Sequence, residues 1–457
     1  MAGIGFELRK LMRHDSYTGL LQAYGFAGVI SSGPWILSIV GIMLVGVLSI
    51  GEVIPALRVT QFLVSVTYIM AASLIVTGFL QLMFTRFIAD RLFERRDEAV
   101  LPNLLGALLL TLVVCSALGA LVLVTLFGGE DFTYRLLMLS GFVMQCGVWV
   151  VVVFLSGMKE YRRIVAAFFA GYSITVAMAL ILRPFGLHGL LSGFVVGQVV
   201  LLGLLLALVV HYYPGRQLLA FEFLSRDKIY LSLAATGFFY NFGIWADKFI
   251  FWMYPATSEA VIGPLRASLI YDLPIFLAYL SIIPGMAVFL VRIETDFVEA
   301  YDNYYNAVRE GDTLAHVRQF KDAMVLSVRQ GLYDIFKVQG LTVVALFVAG
   351  PRLLDALGIS PLYFYLFQID VAAVGMQVVL LAILNVLFYL DMLRSAMALT
   401  ALFALSNVVL TVLTLRLGPV FYGFGFAAAV LLTTLAGLWL LSFRMGRLEY
   451  ETFMLRR

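Results

Sequence analysis

Charge is what this 457-residue chain has least of: Asp, Glu, Lys and Arg together make up 13% of it, while 62% is hydrophobic. A soluble domain carries roughly 25% charged residues. So few charges cannot cover an aqueous surface, and lipid must solvate most of the exterior. A net charge of +3 excludes a strongly basic nucleic-acid binder, so no nucleic acid is expected among its partners. There are two cysteines, Cys115 and Cys146, both inside apolar runs. They read as small core residues and point to neither a disulfide framework nor a metal site. The chain has no Gly-x4-Gly-Lys-Ser/Thr loop, no His-Glu-x-x-His and no Gly-x-Ser-x-Gly. Its histidines, His14, His188, His211 and His316, fall at span ends or in loops, where a solvated ring is the ordinary reading. No enzyme, cofactor or metal is expected.

What is abundant is long apolar sequence. A bilayer core takes about 20 apolar residues in helical form. Segments of that length fall near 23–49, 60–85, 101–127, 133–157, 164–182, 187–210, 229–254, 268–291, 331–350, 362–390, 395–415 and 419–443. The first follows Arg9, Lys10 and Arg13 as a signal peptide would. It is too long for one and no small-x-small cleavage pattern ends it, so it is expected to stay as the first span. Residues 3–16 alternate apolar and basic positions at roughly helical spacing, the pattern of a helix lying along the interface.

The loops test the span count independently, because Lys and Arg concentrate on the cytoplasmic side. One set of alternating segments holds 24 of the 31 Lys and Arg residues. The opposite loops hold one each: Arg58, Arg135, Arg183, Arg266, Arg352 and Arg416. Only Lys248 remains, inside a span. This alternation predicts an all-α polytopic membrane protein of about 12 transmembrane helices, with both termini cytoplasmic. The spans divide into a bundle over 1–210, a cytoplasmic linker at 211–228, and a second six-span bundle over 229–457. The second bundle carries a polar cytoplasmic insert at 292–337. There, eight acidic residues stand among Tyr, Phe, Val and Leu at helical spacing, and Gly311 is expected to separate two short amphipathic helices. The insert reads equally as a docking surface and as a solvated connector. Gly193 and Gly197 fit close helix approach, and Pro34, Pro274 and Pro284 lie inside spans, where each permits a kink.

Ionisable side chains at membrane depth by default mark a pathway or an internal ion pair. The first six spans have none deep inside; the second six have Asp247, Lys248, Asp272 and Asp370. At 1.5 Å per residue, Lys248 lies about 9 Å, Asp272 about 6 Å and Asp370 about 12 Å below the outer ends of their spans. They share a slab of the outer leaflet. Neighbours on a helix point about 100° apart, so Asp247 and Lys248 are expected to face different ways. Lys248 would then pair with Asp272 or Asp370, leaving the other carboxylates for water and substrate. Asn241, seven residues before Lys248, extends its polar face inward. Among the aromatics of this region, Tyr254 and Tyr363 suit an interfacial belt, whereas Tyr240 and Tyr279 are deep enough to line a path. Seven residues are therefore transport-pathway candidates: Asp247, Lys248, Asp272, Asp370, Asn241, Tyr240 and Tyr279. Set against this is a simpler reading, in which the charges are ion pairs holding helices together.

The opening Met-Ala-Gly-Ile-Gly-Phe-Glu-Leu-Arg-Lys-Leu and the later run from Tyr24 to Trp35, Tyr-Gly-Phe-Ala-Gly-Val-Ile-Ser-Ser-Gly-Pro-Trp, resemble the N-terminus of the PelG family, inner-membrane transporters of bacterial Pel exopolysaccharide systems. The length, spans and charged insert fit that family over the whole chain. The resemblance implies membership of the multidrug/oligosaccharidyl-lipid/polysaccharide flippase superfamily, with two six-helix bundles around a central cavity. It also implies a multi-pass protein of the bacterial inner membrane, surrounded by membrane lipid, that moves a partly deacetylated hexosamine polymer for biofilm matrix. The implied partners are a cytoplasmic glycosyltransferase and the other Pel inner-membrane components, some responsive to cyclic-di-GMP. The alternative is an ion-coupled, alternating-access flippase or drug exporter of the same superfamily, in which one of the three aspartates titrates during the cycle.

Overall fold

In the computed structural model, residues 17–155, 161–213, 217–225 and 230–455 are described; the expected interfacial helix at 3–16 and the side chain of Pro34 lie outside them. The described chain is overwhelmingly helical. Lipid offers no hydrogen bonds, and a helix satisfies its own backbone. The chain forms two compact units: a first comprising Gly33–Trp245 and Trp252–Ser268, and a second comprising Met1–Ser32, Ala246–Phe251 and Leu269–Arg457. Helix α1 (Tyr17–Ser49) therefore contributes to both, as does α7 (Leu231–Met253).

The first unit is built from α2 (Leu57–Phe93), α3 (Val100–Leu126), α4 (Phe132–Leu155), α5 (Tyr161–Leu182) and α6 (Gly186–Tyr212), with its parts of α1 and α7. Glycine sets the closest crossings. A side chain at Gly193 would meet the backbone of Ala179, and one at Gly197 would meet Thr175, so α5 and α6 pack as closely as the sequence anticipates. At Gly237 a Cβ would strike the carbonyl oxygen of Gly78, which fixes where α7 crosses α2. Cys115 and Cys146 are free and buried with Val143 in an apolar cluster, the core role read from their surroundings.

Two connections in this unit are more structured than the sequence indicates. Beyond α6, residues 217–225 lie back on the helix ends. Ala220 N–H donates to Pro102 O at 3.0 Å, Glu222 N–H to Asn103 Oδ1 at 2.8 Å, and Phe223 is fully buried against Phe84 and Phe87. After α7 the chain forms an antiparallel hairpin, β1 (Glu259–Ile262) and β2 (Leu265–Ala267), where only a loop is expected. Gln61 Nε2 donates to Val261 O at 3.1 Å and the Tyr68 hydroxyl to Arg266 O at 3.0 Å, tying the hairpin to α2.

The second unit holds α8 (Leu269–Leu280), α9 (Ile282–Val291), a π-helical turn (Arg292–Phe297), α10 (Val298–Glu310), α11 (Leu314–Ala356), α12 (Phe364–Tyr389), α13 (Leu393–Leu417) and α14 (Phe424–Gly446). The break between α8 and α9 falls at Ser281, one turn before Pro284, whose ring has no N–H for the Leu280 carbonyl. Gln339, 2% exposed, reaches the break and donates to Ser281 O at 2.9 Å. Gly311, at φ +71°, ends α10 as expected. The second insert helix is not short, however: α11 runs on for 43 residues through the ninth expected span, continuing past Gly331, Gly340 and Gly350 and the late Pro351. The insert also grips the chain's end, with Lys321 Nζ 2.7 Å from Glu449 Oε1. That bond holds the Glu449 carboxyl below its ordinary value.

By length and composition, nine helices among the described residues can cross a membrane. One of these, Arg163–Tyr212, spans 50 residues and contains both the fifth and sixth expected spans. α7, which carries Asp247 and Lys248, is not among the nine.

Candidate functional site: a buried charge cluster

Asp247 and Lys248 lie on the short stretch of α7 that belongs to the second unit, and there they are 0% and 1% exposed. The expectation that they face apart is overturned. Lys248 Nζ donates to Asp247 Oδ2 at 3.0 Å and to Oδ1 at 3.3 Å. The four-carbon lysine stem lets the ammonium swing back over a neighbour whose own Cα–Cβ bond points elsewhere, and both side chains are buried there.

The rest of the unit completes the shell. From α8, the Tyr271 hydroxyl donates to Asp247 Oδ2 at 2.6 Å. From α13, Asn407 Nδ2 donates to Asp247 Oδ1 at 3.1 Å, and Thr411 Oγ1 fixes that amide by donating to Asn407 Oδ1 at 2.9 Å. Lys248 Nζ also donates to the Tyr279 hydroxyl at 3.3 Å and sits 4.9 Å from the ring centroids of both Tyr279 and Phe426. Phe251 stacks on Tyr271 at 3.9 Å, which orients the phenol. Every lone pair and proton of this ion pair has a nearby partner, the condition under which a buried pair is tolerated.

Asp370, on α12, is different. It is fully buried, and neither carboxylate oxygen has a hydrogen-bond partner among the described residues. Gly423, at φ +83°, passes so close that a Cβ there would lie 3.2 Å from Asp370 Oδ1. Asp370 shares the second unit with Asp247 and Lys248 but has no hydrogen bond to either. Asp272 is half-buried. Tyr240 and Asn241 belong to the first unit. Asn241 Nδ2 donates to Gly237 O at 3.0 Å, one turn from the glycine crossing of α2 and α7, and Tyr240 is half-buried.

Sequence reasoning missed Asn407 and Thr411. Their signal is present, since Asn407, Thr411 and Thr414 recur at helical spacing through an otherwise apolar run. Tyr271 could not be separated from belt tyrosines by position alone. No group of three or more His, Cys, Asp or Glu side chains among the described residues could hold a metal ion.

Long apolar helices gathered in two units, with a charge cluster buried in one, define a polytopic α-helical membrane protein, and the solved structures this chain is similar to share that fold. They include a MATE protein in the straight conformation (12% identity, TM-score 0.62, 93% of this chain and 96% of that one). Another is an outward-facing multidrug resistance MATE family transporter of the MOP superfamily (15%, 0.59, 93% and 96%). A third is a MOP superfamily transporter from Pyrococcus furiosus with a binding pocket of reverse polarity (14%, 0.60, 93% and 96%). At these identities the likeness establishes the fold. No curated protein matches. Within that class, the chain belongs to the family described as "PelG: Putative exopolysaccharide Exporter (EPS-E)", which matches residues 1–453. It is a transporter, not an enzyme.

Proposed function

We propose that this protein moves a hexosamine-rich exopolysaccharide across the bacterial inner membrane, receiving the chain from a cytoplasmic glycosyltransferase and the membrane proteins associated with it. The observation that carries the reading is the family match over residues 1–453, together with a transporter fold. The topology that goes with it is twelve crossings in two six-span bundles, with both termini and the 292–337 insert on the cytoplasmic side, as the Lys and Arg distribution requires.

Six of the seven pathway candidates divide between two roles in this proposal, and Asp370 stands apart. Asp247, Lys248 and Tyr279, with Asn241 in the first unit, hold helices in place, as their completed hydrogen bonds support. Asp272 and Tyr240 are half-buried and are offered to water and substrate. Asp370 carries a second reading: a buried carboxylate with no hydrogen-bond partner among the described residues is what an ion-coupled flippase would protonate and deprotonate during its cycle.

Cells lacking the chain test the main reading. Polymer outside the cell should disappear on deletion and return with the wild-type chain and with Asp370→Asn. Failure of Asp370→Asn at normal protein level would favour the ion-coupled reading, and secretion unchanged by deletion would exclude both.

A further inference from the structure

The aromatic side chains that the sequence places near the outer face are not the ones the structure arranges together. Tyr271 and Tyr279 are buried to 0% and 4% exposure in the charge cluster, with no free face for a ligand. At the other end of the second unit, where the π turn leads into α10 and α12 ends, three tyrosines converge. Tyr301 and Tyr305, one turn apart on α10, have ring centroids 4.5 Å apart, and Tyr389 of α12 lies 5.7 Å from Tyr301. All three are partly exposed. Beneath them Phe297, fully buried, packs edge-on against Tyr389 at 5.6 Å and holds the group on a rigid base.

Polar groups border these rings. The Tyr389 hydroxyl donates to Glu294 Oε2 at 2.8 Å, and Glu294 is itself only 6% exposed. Asn385, one turn before Tyr389 on α12, keeps a buried side-chain oxygen with no hydrogen-bond partner among the described residues. Three partly exposed aromatic rings on a buried base, edged by a carboxylate and an acceptor without a partner among the described residues, match the chemistry of a sugar. A pyranose ring presents C–H bonds to an aromatic face, whose π electrons are negative, and directs hydroxyl and amide N–H donors sideways.

We propose that Tyr301, Tyr305 and Tyr389, with Glu294 and Asn385, form a carbohydrate-binding subsite for the hexosamine polymer. The Lys and Arg distribution places this end on the cytoplasmic side, so the subsite receives the chain as it arrives from synthesis. This rests on the export reading for its substrate class. The subsite takes a neutral or N-acetylated sugar, since stacking selects for ring faces and not for charge.

The test uses the full-length exporter in lipid nanodiscs and a soluble N-acetylhexosamine oligosaccharide as probe, with binding followed by saturation-transfer NMR. The wild type should bind saturably. Tyr301→Ala and Tyr305→Ala should each weaken binding by roughly tenfold or more, the scale of losing one stacked ring, whereas Tyr301→Phe and Tyr305→Phe keep it. Tyr305→Leu, which preserves apolar volume without a π face, should lose binding at an unchanged melting temperature, and so separates stacking from folding. Equal binding by the wild type and the Ala and Leu variants would overturn the proposal. So would variants that lose only lipid interactions or only association with the glycosyltransferase while sugar binding stays intact. If the wild type exports polymer but binds no oligosaccharide, the subsite fails and the export reading stands. If it binds oligosaccharide through these tyrosines but exports nothing, the subsite stands and the export reading fails.

Discussion

The two units solve the same problem, holding polar atoms inside an apolar environment, by different means. Buried polar side chains of the first unit are neutral among the described residues, apart from Arg91 near the end of α2. The threonines among them turn back on their own helices: Thr77 donates to Ser73 O, Thr111 to Ala107 O and Thr175 to Gly171 O. Trp149 reaches across to Ser73. Such groups need little from their neighbours, and helix contact rests on close approach at glycine. The second unit buries Asp247, Lys248, Glu294 and Asp370, which no single helix can satisfy. Its helices are interlocked by the partners these charges demand. A neutral interface fails when its shape changes; a charged one fails when its balance does.

The largest expected effect breaks that balance. Lys248→Met leaves Asp247 buried without its ammonium and beside Asp370, and should lower stability by about 3–5 kcal/mol, read from thermal unfolding in detergent. Combining it with Asp247→Asn removes the uncompensated charge, and the double variant should recover most of the loss. A single variant as stable as the wild type would show that the pair contributes nothing. In the first unit, Gly237→Ala changes shape without charge. Its new methyl meets the Gly78 carbonyl, a backbone atom that cannot turn aside, at a cost of about 1–3 kcal/mol. The same measurement on Gly203→Ala, where no atom lies within 4 Å, should show no such loss. Smaller still is Gln339→Leu, which removes the one side-chain donor to Ser281 O shown here and should cost about 1 kcal/mol.

The smallest effect is in the polar insert. The Glu449 carboxyl, bonded to Lys321, is held below its ordinary value, so the tie adds stability above about pH 4.3, the usual carboxyl value, and loses it as pH falls through the depressed value. Hydrogen exchange at residues 448–450 should rise over that acidic range. Lys321→Met should raise exchange at neutral pH and flatten the response, and an unchanged profile would show that the tie does not order the tail.

Helices, their periods and the glycine contact of α5 with α6 were legible because lipid leaves the backbone few alternatives, and small residues at that spacing have few other uses. Asp247, Lys248 and Asp370 were legible as buried charges, since an ionisable residue in an apolar run is conspicuous in one dimension. Glu294, by contrast, was read with the polar insert and is buried, and Asp272 is only half-buried. The pairing of Asp247 with Lys248 was not legible. A helical wheel assigns directions to Cβ atoms, and lysine places its charge several bonds further on, so Asp247 and Lys248 came together against the expectation. Asn407 was unread because the search followed charges, and the stripe it makes with Thr411 and Thr414 is neutral. The hairpin after α7 turns at Gly263-Pro264, but its anchors, Gln61 and Tyr68, are some 200 residues away, beyond any local pattern.

The claim that this protein exports polymer handed over from synthesis is tested most directly by reconstitution. The purified chain would be placed in sealed vesicles with its cytoplasmic side outward, with and without the glycosyltransferase, and the lumen scored for polymer. The account predicts luminal polymer only when synthesis proceeds at the outer surface, with or without an ion gradient. Polymer or drug accumulating in the lumen with the purified chain alone, driven by a proton or sodium gradient, would contradict it.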